Sequence, residues 1–225
     1  LHTANETINI AWCDNGMTDG LFTQKLTELA LNGEAFGIPI GAVMRNCGNQ
    51  LAKQRMDIIA NWYNANNHEW LLSIDSDIIV ELQNVKDLWE IADKNSNPIV
   101  SGIYYLLLNG KEGKTPPAFS SVFTTKNDFE SVESIDIEKE EELFSADAAG
   151  FGFLLIHRSV ITKLVEKFGG NTNFFHGQAS LGEDITFFRN TKACNIPLTI
   201  CKKATVQHIK RFSVGIEYFN LQKDK

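Results

Sequence analysis

Five side chains at three places in this sequence could do chemistry together: Asp75 and Asp77, Glu183 and Asp184, and His208. The first pair ends the apolar run Trp70, Leu71, Leu72, Ile74 and precedes Ile78, Ile79 and Val80. In an extended backbone, residues two apart share a face, so both carboxylates are expected to converge at the end of a buried strand. Close carboxylates repel each other, and a hard divalent cation carrying a bound phosphate relieves that repulsion. The pair therefore points to a metal and an anionic ligand, although Asp-x-Asp equally suits a turn. Glu183 and Asp184 precede a helical pattern, where carboxylates favour the positive end of the helix dipole whether or not they also move protons. His208 closes a short alternating run, a place for a metal ligand or for a satisfied edge histidine.

These places need elements to hold them. Residues 7 to 13 alternate like a buried first strand, and Asp14-Asn15-Gly16 breaks it. Thr18 or Asp19 is placed to cap a helix carrying Leu21, Phe22, Leu26, Leu29 and Ala30, which stops at Asn32-Gly33. Residues 38 to 43 read as a second strand. Residues 49 to 67 read as a long helix with Leu51, Ile58, Ile59 and Trp62 as its apolar stripe and Gln50, Lys53, Gln54 and Asp57 largely on other faces. Strand, helix, strand, helix, strand predicts an α/β fold with a mostly parallel central sheet flanked by helices.

Further on, 85 to 95 reads as a helix and 98 to 108 as one buried strand. Gly110, Gly113, Pro116 and Pro117 then punctuate a segment from 109 to 142, expected to be a small antiparallel excursion of hairpin and loop, with the acidic run 138 to 142 as a solvated face. An apolar pattern resumes over 144 to 156 around Ala149-Gly150-Phe151-Gly152, and a helix over 159 to 168 ends at Gly169-Gly170. A loop spans 173 to 182, a helix runs from Glu183 to about Cys194, and 196 to 201 and 204 to 209 are short strands. The tail from 210 reads as surface. With no repeat and no linker, residues 1 to 225 are expected to form one domain.

Composition narrows the function classes. The 28 acidic residues exceed the 21 Lys and Arg for a net charge of −7, which argues against non-specific binding to nucleic acid or anionic membrane. No run reaches the roughly 18 apolar residues of a membrane span, and residues 1 to 6 lack a basic-then-apolar signal pattern. Cys13, Cys47, Cys194 and Cys201 form no C-x-x-C pair, so free thiols in a reducing, cytoplasmic setting are expected.

The W-L-L-S-I-D-S-D strand preceded by a helix with Arg55, the A-G-F-G segment, the G-E-D-I-T-F-F helix start and the final V-Q-H stand in order over residues 7 to 211. That ordered set resembles the GT-A (Rossmann-like) glycosyltransferases, which use nucleotide-sugar donors. The resemblance implies that Trp12 or Asp14, at the first strand end, holds the nucleotide base and ribose, and that Arg55 faces the donor. It implies Asp75 near ribose and metal, with Ser76 beside it at the donor, and Asp77 as a direct metal ligand completed by His208. Gly150 and Gly152 would let the sugar approach the backbone. In the E-D pair, Glu183 would line the donor site and Asp184 would be the general base of an inverting transfer. Oxygen ligands suit Mg2+ or Mn2+, and an imidazole ligand tilts the choice to Mn2+. The implied partners are a UDP- or GDP-sugar donor and a saccharide or other hydroxyl acceptor.

Chemistry agrees with this assignment. A divalent cation stabilises a departing nucleoside diphosphate without proton transfer, and a carboxylate within reach can deprotonate the attacking hydroxyl. If Asp184 lies away from the acceptor, retention of the anomeric centre becomes the alternative. Lys210 and Arg211, beside His208, could add positive charge for the diphosphate or serve as ordinary surface cations. Two other readings remain open. A sugar nucleotidyltransferase would be expected to carry a glycine-rich, lysine-containing loop after the first strand, and D-N-G-M-T-D-G has no lysine. A non-catalytic carbohydrate- or nucleotide-sugar-binding domain of the same fold could keep all these residues without turnover.

Overall fold

A computed structural model of the chain describes residues 6–65, 68–107, 117–170, 173–176 and 181–211. The first strand, β1 (Ile8–Asp14), leads to helix α1 (Gly20–Asn32). Of the two predicted caps it is Asp19 that closes α1, its carboxylate accepting the Leu21 N–H at 2.9 Å. Strand β2 (Ile40–Cys47), helix α2 (Leu51–Ala65) and strand β3 (Trp70–Ile74) follow. Short strand β4 (Ile78–Ile79) and helix α3 (Leu82–Ile91) complete the first half.

Residues 98 to 108 are two strands, β5 (Ile99–Ile103) and β6 (Tyr105–Leu107), in different sheets rather than one. The break falls at Tyr104, whose backbone is pinned on both sides by Ser121: the Ser121 N–H donates to the Tyr104 carbonyl at 2.9 Å, and the Tyr104 N–H donates to Ser121 Oγ at 3.2 Å. Beyond the undescribed residues 108–116, β7 (Ala118–Ser120) pairs with β6, and β8 (Val122–Lys126) forms a hairpin with β9 (Ser131–Ser134). The hairpin turns through Asn127, Asp128 and Phe129, all at positive φ without a glycine among them.

Strands β10 (Leu143–Ser145), β11 (Ala148–Ala149) and β12 (Phe153–His157) lead into α4 (Arg158–Phe168), which ends at Gly169 with φ 91°, a conformation suited to glycine. Helix α5 (Glu183–Ala193) precedes β13 (Thr199–Thr205) and β14 (Gln207–His208). The two strands expected over 196 to 209 are thus one long strand and a two-residue strand that leaves the main sheet to pair with β4. Of the predicted loop over 173 to 182, residues 177–180 lie outside the described residues, as does the tail beyond Arg211.

The central sheet has the order β10-β13-β5-β12-β3-β1-β2. Strands β1, β2, β3, β5 and β13 share one direction, and β12 and β10 are reversed, which makes the sheet mostly parallel as expected. Phe22 and Leu29 of α1 and Val85, Leu88 and Trp89 of α3 pack on one face with Trp70, Leu72 and Ile74. Ile58, Ile59 and Trp62 of α2, Leu164 of α4 and Phe187 and Phe188 of α5 pack on the other with Leu71 and Leu154. The inner strands β1, β3, β5, β12 and β13 feed both cores by alternation. The chain leaves β1 outward to β2 across one face and returns to β3 across the other, so a crevice opens beyond the carboxyl ends of β1 and β3. Asp14 and Asp75 stand at those ends.

Candidate functional site

Asp75 continues the alternation of β3 toward the face of α2 and α5. There it meets Arg55, whose Nη2 donates to both carboxylate oxygens at 3.0 and 3.2 Å while Nη1 donates to Glu183 Oε1 at 2.6 Å. The guanidinium, with its side chain only 4% exposed, lies over the Phe151 ring at 4.9 Å. Burial would favour loss of its charge, and the surrounding carboxylates, Asp75 first and then Glu183, outweigh that and hold it firmly protonated. Arg55 is therefore a clamp that fixes the end of β3 to the first turn of α5, with its fork already filled. Asp184, the next residue on α5, accepts its own helix's Ile185 N–H at 2.8 Å. Burial, and then the neighbouring Glu183 charge, push its carboxyl up to about 6, against the pull of Arg55. That is a carboxylate poised to take a proton near neutral pH.

Asp77 does not join Asp75. The Ile78 N–H donates to the Asp75 carbonyl at 2.9 Å, closing a turn over Asp75, Ser76 and Asp77 that ends the period-two alternation on which their convergence was predicted. Half-buried Ser76 sits at the middle of the turn, and Asp77 faces β14 on the far side. There His208 Nε2 is 3.0 Å from Asp77 Oδ2, and Nδ1 is 2.9 Å from the Tyr105 carbonyl oxygen. The Lys210 ammonium is 2.6 Å from His208 Nε2 and 3.7 Å from Asp77 Oδ2. Burial raises the Asp77 carboxyl, but His208 and Lys210 prevail and hold it below the ordinary carboxylate range.

This pair fits a divalent cation. A carbonyl only accepts, so Nδ1 carries a proton and Nε2 is the ring nitrogen that faces the carboxylate, the edge a metal-ligating histidine offers. The Nε2 to Oδ2 spacing, 3.0 Å, is that of a hydrogen bond and also that of adjacent octahedral ligands with bonds of about 2.1 Å. Among the described residues no group of three or more His, Cys, Asp or Glu side chains could hold a metal, and Asp75 is engaged by Arg55 instead of joining Asp77 and His208.

Gly150 and Gly152 frame a notch that is already filled. A Cβ at Gly150 would overlap the Tyr104 hydroxyl, and one at Gly152 would stand 2.9 Å from Asp75 Oδ2 and 3.0 Å from the same hydroxyl. The glycines admit Tyr104 and Asp75 rather than leaving the backbone bare for a sugar. The Gly152 N–H donates to the phenol oxygen at 3.3 Å, and the Tyr104 ring meets His208 edge-on at 5.2 Å. Tyr104 thus touches both halves of the site. Nothing in the sequence singled it out, since 98 to 108 read as one strand; in the fold it stands one residue past the end of β5, as Asp75 stands past β3.

At the end of β1, Asp14 is saturated. Arg45 donates to both its oxygens at 2.7 and 2.8 Å, Trp12 Nε1 donates at 2.9 Å and the Gly16 N–H at 2.7 Å. Chiefly through Arg45, its carboxyl is held far below the usual range. Gln54, expected off the apolar stripe of α2, is buried, and its amide donates to the carbonyls of Asp14 and Asn46 at 2.8 and 3.0 Å. A cleft of about 330 Å³ opens here, lined by Cys13, Asp14, Asn15, Gly48, Asn49 and Gln54. Half-buried Trp12 packs edge-on against Phe22 at 6.0 Å. Arg45 and Gln54 give the sequence no motif to read. Their roles follow from strand ends that meet only in three dimensions.

The sequence matches no family model and no curated protein. Solved structures do resemble it. A197 from STIV superposes with a TM-score of 0.54 at 19% identity, over 91% of this chain and 87% of that one. GalNAc-T7, solved with UDP, GalNAc and Mn2+, gives a TM-score of 0.59 at 11% identity over 99% of this chain, which spans about half, 48%, of the GalNAc-T7 chain. The fold is GT-A-like, a mixed α/β architecture around a seven-stranded sheet. No helix among the described residues is long and apolar enough to cross a membrane, and all four cysteines are free.

Proposed function

We propose that the chain is a metal-dependent glycosyltransferase that moves a sugar from a nucleoside-diphosphate donor to an acceptor hydroxyl. The observation that carries the reading is the Asp77–His208 pair. It joins one carboxylate and one imidazole at octahedral spacing beside the crevice at the sheet's carboxyl ends. The likeness to a GalNAc-T7 structure that holds UDP, GalNAc and Mn2+ supports it at the level of fold. Mn2+, or Mg2+ in its place, would be held by Asp77 and His208 with donor phosphates as further ligands, and would neutralise charge on the leaving diphosphate. The cleft at the ends of β1 and β2 is the place for the nucleoside, with Asp14 holding Arg45 and the Trp12 edge in position. Asp184 is the base that takes the acceptor proton, and the reaction inverts the anomeric centre. Arg55 and Glu183 hold the Asp184 turn against Asp75 rather than touching the donor.

The test is thermal unfolding with UDP and GDP, each with and without Mn2+, followed by hydrolysis of a panel of UDP- and GDP-sugars. Stabilisation by a nucleoside diphosphate only when Mn2+ is present supports the reading, and indifference to every combination overturns it. The Asp184→Asn variant is expected to keep nucleotide binding and lose transfer at least a hundredfold, as removal of a general base does. Normal transfer by that variant would take the base role from Asp184.

A further inference from the structure

His208 and Asp77 face a cation that the chain itself supplies. With His208 Nδ1 turned to the Tyr105 carbonyl, Nε2 is the nitrogen that faces the seat: the Lys210 ammonium stands 2.6 Å from it and 3.7 Å from Asp77 Oδ2. The next cation along the chain is used differently. Arg211 donates to Asp19 Oδ2 at 3.0 Å, and Asp19 is tied to α1 through its cap. Lys210 is therefore the basic side chain of this segment that turns inward, and its side chain, 37% exposed, can swing out without uncovering a core.

A metal ion on Nε2 would sit about 2.1 Å from it, on the side where the lone pair points. That is the side already taken by the ammonium. Two cations cannot share one ring nitrogen at such separations, and their mutual repulsion opposes joint occupancy. We propose that Lys210 is a tethered counter-cation in the seat between His208 and Asp77, so that lysine and divalent metal exclude one another and Lys210 sets the metal affinity of the site. This rests on the reading of that pair as a metal site. In the metal-free protein the lysine keeps both ligands oriented. Metal binding then carries the penalty of displacing it, which multiplies the intrinsic affinity by the fraction of molecules whose seat is open.

The experiment titrates Mn2+ alone into the full chain, read by calorimetry and by the electron paramagnetic resonance signal of free Mn2+. It compares the native protein with Lys210→Met, Lys210→Gln and His208→Gln/Lys210→Met. Both single variants are expected to bind Mn2+ about tenfold more tightly, as follows if the lysine holds the seat about nine-tenths of the time. The same variants are expected to melt lower than the native protein in chelator and to gain more from Mn2+. Equal or weaker Mn2+ binding in both single variants overturns the competition while leaving the glycosyltransferase reading standing. Tight binding that survives in the double variant places the metal elsewhere and also overturns it. Absence of Mn2+ binding in every protein, with UDP or GDP present as well, overturns both the competition and the metal-dependent reading.

Discussion

Two charge clusters stand a few residues apart and are built for opposite purposes. In the Arg55 clamp, one buried guanidinium spends both of its fork nitrogens on Asp75 and Glu183 and is covered by Phe151. In the Asp77–His208 seat, the carboxylate side chain is 46% exposed, and His208 Nε2 meets that carboxylate at 3.0 Å and the Lys210 ammonium at 2.6 Å. Burial decides the difference. A buried guanidinium bound to two carboxylates fixes backbone elements relative to one another, whereas a pair with a half-exposed carboxylate can exchange one cation for another. The clamp should therefore show itself in stability and the seat in binding.

The largest expected effect is at the clamp. Arg55→Met leaves Asp75 and Glu183 facing each other with Asp184 nearby, and removing one partner of a buried pair is expected to lower unfolding free energy by about 3 kcal/mol at pH 7, read by urea denaturation. A loss below about 1 kcal/mol would mean that Arg55 is no clamp. Next in size is Gly150→Ala, whose new methyl group would also lie 2.7 Å from Tyr104 Cζ. Such overpacking is expected to cost about 2 kcal/mol. Tyr104→Phe in the same chain should return part of it, and a double-mutant cycle with no coupling would show that the phenol is not seated in that notch.

How much of this could be read from the sequence differs between the same two clusters. The strands and helices that carry them were legible because their apolar periods are long and uninterrupted, as at Trp70–Ile74, and because a cap such as Asp19 acts on its own helix. The companions Asp77 and His208 were legible as residue types. Their separation from Asp75 was not, since one hydrogen bond from Ile78 to the Asp75 carbonyl decides the turn, and alternation predicts the opposite. The clamp was half legible: Arg55 was singled out as a donor contact, but its partner Glu183 lies 128 residues away and only packing reveals the bond. Gln54, Tyr104 and Ser121 were illegible for a common reason. Each satisfies or fills something contributed by a distant segment, and no local pattern encodes that.

Asp184 belongs to the α5 side of the clamp and offers a smaller, oppositely signed effect. Its folded-state pKa, about 6, lies above the ordinary 3.8, so the folded chain holds the proton more tightly than the unfolded chain. That contribution is fully present below the unfolded value and is lost as pH rises through 6. Asp184→Asn removes the buried charge, so it is expected to stabilise the protein by about 1–2 kcal/mol at pH 8, with the gain shrinking toward zero as pH approaches 4. A gain independent of pH would assign the effect to something other than the carboxylate.

The smallest stability effect, and the sharpest division between clusters, is expected in the seat. Asp77→Asn or His208→Gln alters a pair whose carboxylate is half-exposed and whose imidazole is nearly buried, and should change unfolding free energy by about 1 kcal/mol or less in chelator. The native protein should gain about 2.7 kcal/mol from Mn2+ and nucleoside diphosphate at a hundred times their dissociation constant. Both seat variants should lose that gain, while Arg55→Met, at a temperature where it is folded, should keep most of it. Were Asp77→Asn to unfold as readily as Arg55→Met, the seat would be a second clamp. Its exposure, its lone pair and its lysine would then have to be explained without a ligand.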